Sequence, residues 1–422
     1  MASPRLAGLL KAFLTYSAII LITALLVDLL LIATGLFPPP RNPGHAGLGW
    51  MPARPTGEMA TGKCVDLATG EDVLYQRNED GIRTSVSRKD TVSVDGEIRI
   101  AVTGDSHTDL CSTNEELHSG VLEAGLRKQG VDVRVLSFGV GRYSPLQDYL
   151  AFRDVLRKYH PRVLVLNLYM GNDFYDMLRI DDRPHFVKVD TGYRIAPPAW
   201  YAMDDPDKRR RSRVLAFIRA IGDKTGIRTA FQRLSYLRAI GGRDDQSLAN
   251  DIAYMRNLLA ARDKTLGYPD ALTAQMLNQQ LYFHHFPSAM DESVHRVRAV
   301  MAMARAENPD VLLLLSPIPS YQLVGESPVD APLIRAYDRL PITLEHAIDV
   351  ERALYDSTRA IASEEGWLFV DNLAALRAYT GSERLYNGFD YHLERVASTV
   401  IGVAQRDVLL PALRVVDGGS HD

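Results

Sequence analysis

The run Arg162 to Met170, RVLVLNLYM, is apolar at nearly every position, and it restricts the fold more than any other stretch. A strand with one face in water alternates apolar and polar side chains. A strand without that alternation is covered on both faces, as in a parallel sheet between two helical layers. Comparable strand runs occur at Ile98–Thr103, Asp132–Leu136, Val311–Pro317 and Trp367–Asn372. Helical patterns at about Glu115–Lys128 and Leu146–Tyr159 separate the first three strands. Strand and helix in alternation give an α/β fold.

The 422 residues include 46% hydrophobic and 24% charged, a globular balance. A net charge of −4 lacks the basic footprint that phosphate backbones require, so no nucleic-acid partner is expected. The N-terminus has a different character. Ala12 to Val27 carries no charge, and Leu29 to Phe37 is apolar up to the Pro38-Pro39-Pro40 break, enough for a transmembrane helix. Arg5 and Lys11 precede it, which leaves the N-terminus inside and the remainder outside the cytoplasmic membrane. Residues 1–37 therefore read as cytoplasmic tail and membrane anchor, and 38–93 as linker and short strands. Residues 94–422 read as the main domain, with a mainly helical insertion at 177–308.

Within the insertion, helices are expected near Val214–Ile221, Asn250–Lys264 and Met290–Ala306. The basic run Lys208–Arg213 sits beside Asp204, Asp205 and Asp207 and reads as a solvated face. Cys64 and Cys111 allow a single intrachain disulfide and equally a pair of free core thiols. His284-His285 in LYFHHF reads as part of an aromatic helix, and no Cys and His spacing suggests a metal. Neither a metal nor an organic cofactor is expected.

Chemistry is expected where the strands stop, because ligands bind at the carboxyl ends of open α/β sheets. The first strand ends in Gly104-Asp105-Ser106, where Gly104 lets the backbone turn and Ser106 is a candidate nucleophile. The second ends in SFGVGRYSP (Ser137–Pro145), the third in Gly171-Asn172-Asp173. A strand order 2-1-3-4-5 brings these loops together around Ser106. Asn172 and the amides near Gly139 to Arg142 can then stabilise an oxyanion. Near the C-terminus, Asp390 and His392 share one loop, so His392 can accept the Ser106 proton while Asp390 orients its ring.

GDSHTD, FGVGRYSP, GND and DYHL, in this order and behind these strands, resemble the four blocks of the SGNH (GDSL-like) hydrolase superfamily. The resemblance covers about Ile98–Asp176 and Val311–Leu409. It implies a flavodoxin-like three-layer α/β/α fold and esterase, lipase, deacetylase or O-acyltransferase chemistry. Residue by residue, it makes Ser106 the nucleophile, His392 the base and Asp390 its orienter. It makes Asn172 and an amide at Gly141 or Arg142 the oxyanion hole, with Gly104, Asp105, Gly139, Gly171 and Asp173 in support.

Three positions depart from the family pattern. Arg142 stands where a glycine is usual, with Gly141 one place earlier; only Tyr391 separates Asp390 from His392; and His107 replaces the familiar leucine. The one-residue spacer is similar to branches that handle acetylated extracellular polysaccharide, and His107 resembles some O-acyltransferase branches. A nucleophile elbow is excluded because Thr108 holds its final glycine position, and no Gly-x-Gly-x-x-Gly is completed.

The resulting expectation is a single-pass membrane-anchored serine esterase or O-acyl hydrolase with its catalytic domain extracytoplasmic. Its substrate would be an acylated small molecule, lipid or polysaccharide. An O-acyltransferase modifying a cell-surface polysaccharide and a non-catalytic binding protein that retains the fold are the alternatives.

Overall fold

The computed structural model describes residues 15–17, 22–23, 44–45, 47–52, 59–66, 71–91, 96–179, 183–190, 192–198, 278–325, 343–387 and 391–418. Strands β1 (Ile98–Gly104), β2 (Val133–Gly139), β3 (Val163–Tyr169), β4 (Leu312–Ile318) and β5 (Leu368–Phe369) form one sheet. Every pairing in it is parallel, and the spatial order is β2-β1-β3-β4-β5, as expected.

The two faces of the sheet bury alternate residues of each strand. Ile98, Ile100, Val102, Val163, Val165 and Leu314 pack with Leu122 and Leu126 of α1 (His118–Lys128) and with Leu409 and Leu413 of a C-terminal helix. Ala101, Leu136, Leu164, Leu166, Leu313 and Leu315 face the opposite layer. That layer consists of α2 (Pro145–Ala151), α3 (Pro287–Glu307) and α4 (Leu344–Glu364), with the C-terminal helix being α5 (Arg395–Gly418). Both sets are apolar, which is why the strand sequences lack alternation.

Local chemistry sets the helix boundaries. α2 starts at a capping box in which the Ser144 hydroxyl accepts from the Gln147 amide and Gln147 Oε1 accepts from the Ser144 amide. The expected helix Leu146–Tyr159 is α-helical only to Ala151. It widens into a π turn at Phe152–Leu156 and ends in a 3-10 turn, with His160 in the left-handed region (φ 53°). α1 begins at His118 rather than near Glu115, because the Asn114 side chain is held by Gln76 and Arg83 outside the helix.

Among the described residues of 38–93, Gly44–His45 pairs with Gly49–Trp50 and Met59–Val65 with Asp72–Asn78, both antiparallel. The segment is also more than a linker. Leu48, Met51, Ile82 and Val86 are buried in the same core as the sheet, and Arg83 exchanges backbone hydrogen bonds with Ser137 of β2. Cys64 and Cys111 are bonded, which ties the Met59–Asn78 hairpin to the loop after β1.

The described part of the insertion contains a hairpin, His185–Val189 with Gly192–Ala196, where mainly helix was expected. Its strands alternate, and its turn falls at Asp190 to Gly192, a signal outweighed by the helical patterns around it. The expected helix Met290–Ala306 lies within α3. Those near Val214–Ile221 and Asn250–Lys264, with the basic run at Lys208–Arg213, lie outside the described residues. So does most of the N-terminal apolar segment, in which 15–17 and 22–23 are helical and exposed. Among the described residues, the helix long and apolar enough to cross a membrane is Arg395–Val415 of α5, with mean hydropathy 1.3. It packs Ala397, Ile401, Leu409 and Leu413 into the cores described above.

One buried carboxyl predicts a pH signature. Glu351 of α4 is fully buried and accepts from the Ser320 amide (2.7 Å) and hydroxyl (2.5 Å). Burial raises its pKa to about 7 against the hydrogen bonds from Ser320. On unfolding the carboxyl returns to its ordinary acidity, so the folded state binds the extra proton between the two values. The contribution is fully present below the unfolded pKa and is lost as pH rises through about 7. Glu351→Gln has no such loss. Its unfolding free energy in urea should gain roughly 3 kcal/mol on wild type between about pH 4 and about pH 8. A constant difference across that range would refute it.

Candidate active site

Ser106 follows β1 at the carboxyl edge of the sheet, and two glycines admit the loop that carries it. A Cβ on Gly104 would lie 2.2 Å from Thr108 Oγ1, and one on Gly139 would lie 2.6 Å from the Asp109 amide nitrogen. The chain after Ser106 therefore folds back over the ends of β1 and β2. Gly104 is required for this close approach, not for a turn: its φ lies outside the left-handed region, which corrects the sequence reading. Thr108 and Asp109 donate to the Asp105 carbonyl (3.1 and 3.2 Å), and Asp105 Oδ1 accepts from the His107 amide (2.9 Å).

A second turn brings backbone donors to the serine. Tyr143 N donates to Val140 O (3.1 Å), with Gly141 and Arg142 at the corners and Arg142 at φ 70°. Position 142 is thus the left-handed corner where glycine is ordinarily found, and Arg142 adopts it at a cost of about 1–3 kcal/mol. A Cβ on Gly141 would sit 3.7 Å from Ser106 Cβ. Val140 N is used by Gly104 O (3.0 Å), whereas the amides of Gly141 and Arg142 have no protein acceptor among the described residues. They are free to donate to a group placed beside Ser106.

His392 arrives on a hairpin of the C-terminal region. Asn387 N donates to His392 O (2.9 Å), Glu394 N donates to Leu385 O (2.8 Å), and Tyr386 bridges to Leu393. Tyr391 turns the chain at φ 58° and stacks on Tyr321 with centroids 4.4 Å apart. Ser106 and His392 line the same cavity of about 210 Å³, with Asp109, Asn387, Glu394 and Arg395 among its walls. The His392 ring stacks on His107 at 4.7 Å. The Ser106 hydroxyl makes a long hydrogen bond of 3.5 Å to Asp105 Oδ2. Asp390 lies outside the described residues.

The third loop is present but differently engaged. Asn172 Nδ2 donates to Asp176 Oδ2 (3.2 Å), and its Oδ1 is buried without a protein partner among the described residues. An oxyanion role for Asn172 requires it to leave Asp176. Gly171 lies against the Tyr169 ring, where a Cβ would come within 2.5 Å. Asp173 Oδ2 accepts from the Tyr169 amide (2.7 Å).

Asp105, Asp148, Asp173 and Asp176 are buried near one another beneath the loops, with Arg183 against Asp176 at 3.0 Å. Burial above all, then the neighbouring carboxylates, drives Asp148 and Asp173 well above the ordinary range. Burial also raises Asp105, to about 6, against the His107 amide and the charge of His392.

Other residues in this region were not legible as a site. Asn167 Nδ2 donates to Thr108 Oγ1 (3.0 Å) and to His118 Nε2 (2.9 Å), and Gln405 Nε2 donates to Asn167 Oδ1 (3.0 Å) and Ser316 Oγ (2.8 Å). Burial, followed by the Arg83 charge, lowers the His118 pKa to about 4, consistent with a neutral acceptor. The network fastens the loop after β1 to β3, β4 and α5. A lone asparagine inside VLVLNLY was its sequence signal. From outside, Arg77 (2.6 Å) and Arg83 (3.3 Å) hold Asp109.

No protein-family model and no curated protein matches the chain. Among solved structures, the acetylxylan esterase Axe2 from Geobacillus stearothermophilus aligns at 10% identity and TM-score 0.35, covering 74% of this chain and 94% of that one. LAE5, an alpha/beta hydrolase from the metagenome of Lake Arreo, aligns at 12% identity and TM-score 0.33 over 76% and 97%. A G-D-S-L family protein from Desulfitobacterium hafniense aligns at 11% identity and TM-score 0.31 over 74% and 98%. Likeness at this level says nothing of activity.

Proposed function

We propose that the chain is a membrane-anchored serine esterase that removes short acyl groups from hydroxyl-rich molecules outside the cytoplasmic membrane. The observation that carries this reading is the shared cavity. Ser106 and His392, from opposite ends of the domain sequence, line one space beside two unengaged backbone amides. Ser106 attacks the ester carbonyl while His392 takes its proton, and the Gly141 and Arg142 amides receive the oxyanion. His392 then protonates the leaving alcohol, and water releases the acyl group by the same route in reverse. Asp390, from its place beside His392 in the sequence, orients the ring.

The cavity supports the substrate class. At about 210 Å³ it is smaller than the roughly 300–1,000 Å³ of drug-sized sites, which suits a short acyl group. Asp66, Asp109, Asn387, Glu394 and Arg395 offer hydrogen bonds suited to sugar hydroxyls. An extracytoplasmic location is supported by the uncharged N-terminal segment and by the Cys64–Cys111 disulfide, since such bonds persist in oxidising compartments.

The test is an acyl-chain series of nitrophenyl esters and an acetylated xylan, assayed with the full chain in detergent. Acetate release exceeding palmitate turnover at least tenfold is expected, with fluorophosphonate labelling of Ser106. Absence of both turnover and label sinks the proposal. Acetyl transfer to an added glycan acceptor without net hydrolysis would make the chain a transferase.

A further inference from the structure

We infer that His107 is a positioning residue for His392: it forms the middle ring of a three-ring column, Tyr169–His107–His392, that fixes the plane of the base. This inference rests on the esterase reading for its kinetic consequence, but its geometric content stands apart from it. The His107 ring lies 3.7 Å from that of Tyr169 at an interplanar angle of 23°, and 4.7 Å from that of His392 at 27°. Both angles are near parallel, so the Tyr169 ring sets the plane of His107 and His107 sets that of His392.

The column is rooted in rigid structure. Tyr169 is the last residue of β3, and its amide is held by Asp173. His107 is 3% exposed, and its amide is held by Asp105 Oδ1, so neither the ring nor its backbone is free to swing. His392, in contrast, sits on a hairpin that reaches the sheet from the far end of the chain, beside Tyr391 in a left-handed conformation. A base delivered on such a hairpin needs a planar surface to stop its rotation about the Cβ–Cγ bond. A leucine at position 107 would offer a rounded side chain and no defined plane. An aromatic ring there offers one, and near-parallel aromatic pairs favour a single mutual orientation.

The test uses three forms of the full chain: wild type, His107→Ala and His107→Phe. On a short-chain nitrophenyl ester, His107→Ala should lose about 10²-fold in kcat with KM within twofold, because a misaligned base affects the chemical step and not ground-state binding. His107→Phe keeps a flat ring and should stay within about fivefold of wild-type kcat. A role in stability alone would lower the active fraction, titrated with fluorophosphonate, and leave kcat per labelled site unchanged. The proton NMR signal of the His392 Cε1–H, assigned by its loss in His392→Gln, supplies a readout that needs no turnover. Its pattern of nuclear Overhauser contacts to the cavity protons should change in His107→Ala and be kept in His107→Phe. An unchanged contact pattern in His107→Ala, or equal loss of kcat in the Ala and Phe variants, overturns the inference. Were wild type to show neither turnover nor labelling, the esterase reading would fall while the NMR comparison still decided the column.

Discussion

Ser106→Ala should lower kcat/KM on a short-chain nitrophenyl ester by a factor of about 10⁴ or more, with the circular dichroism spectrum and melting temperature of the wild type. The magnitude follows from the chemistry. Without the hydroxyl there is no acyl-enzyme, and what survives is the modest rate enhancement from oxyanion donors and binding alone. The substitution removes one oxygen from a half-buried position whose one described hydrogen bond is 3.5 Å long, so stability has little to lose. His392→Ala should fall nearly as far, and the double variant no further than the single ones, because nucleophile and base act as a unit. Additive losses in the double variant would show that the two side chains do not work together.

Removing the disulfide should be the largest single stability change. The Cys64–Cys111 bond joins residues 47 positions apart, and closing a loop of that length in the unfolded chain is worth about 4 kcal/mol. Urea unfolding of Cys64→Ala/Cys111→Ala should place its midpoint correspondingly lower, and wild type should approach the variant when dithiothreitol is added. Activity should fall as well, because Cys111 lines the cavity that holds Ser106 and His392. Other contacts limit that second effect: Arg77 and Arg83 hold Asp109 independently of the sulfur bridge. A variant as stable as wild type would mean that these ion pairs and the Asn114 contacts already fix the hairpin.

The sheet was legible because burial on both faces forces a composition. Val163–Tyr169 falls one residue short of the apolar run Arg162–Met170 at each end, and β1, β2 and β4 differ from expectation by one to three residues at their ends. The edge strand β5 shrinks to Leu368–Phe369, with Asp371 already serving as the cap of the helix Asn372–Arg377. The loops around Ser106 were legible as small and ionisable residues placed where apolar runs stop. Their internal geometry was not. That Gly104 serves close packing depends on Thr108 and Asn167, which reach it only through the fold. That Asn172 gives its amide to Asp176 depends on a carboxylate one helical turn later. The pairing of the cysteines and the burial of Leu48, Ile82 and Val86 depend on a segment whose composition reads as connector.

The bonding of Asn387 and Glu394 back onto His392 and Leu385 places His392 on a hairpin far from Ser106 in the sequence. The lining of the cavity therefore combines contacts of very high sequence separation, the kind whose loop-closure entropy slows folding. The cavity shared by Ser106 and His392 therefore forms only once these distant segments have closed on one another, which makes it a late product of folding.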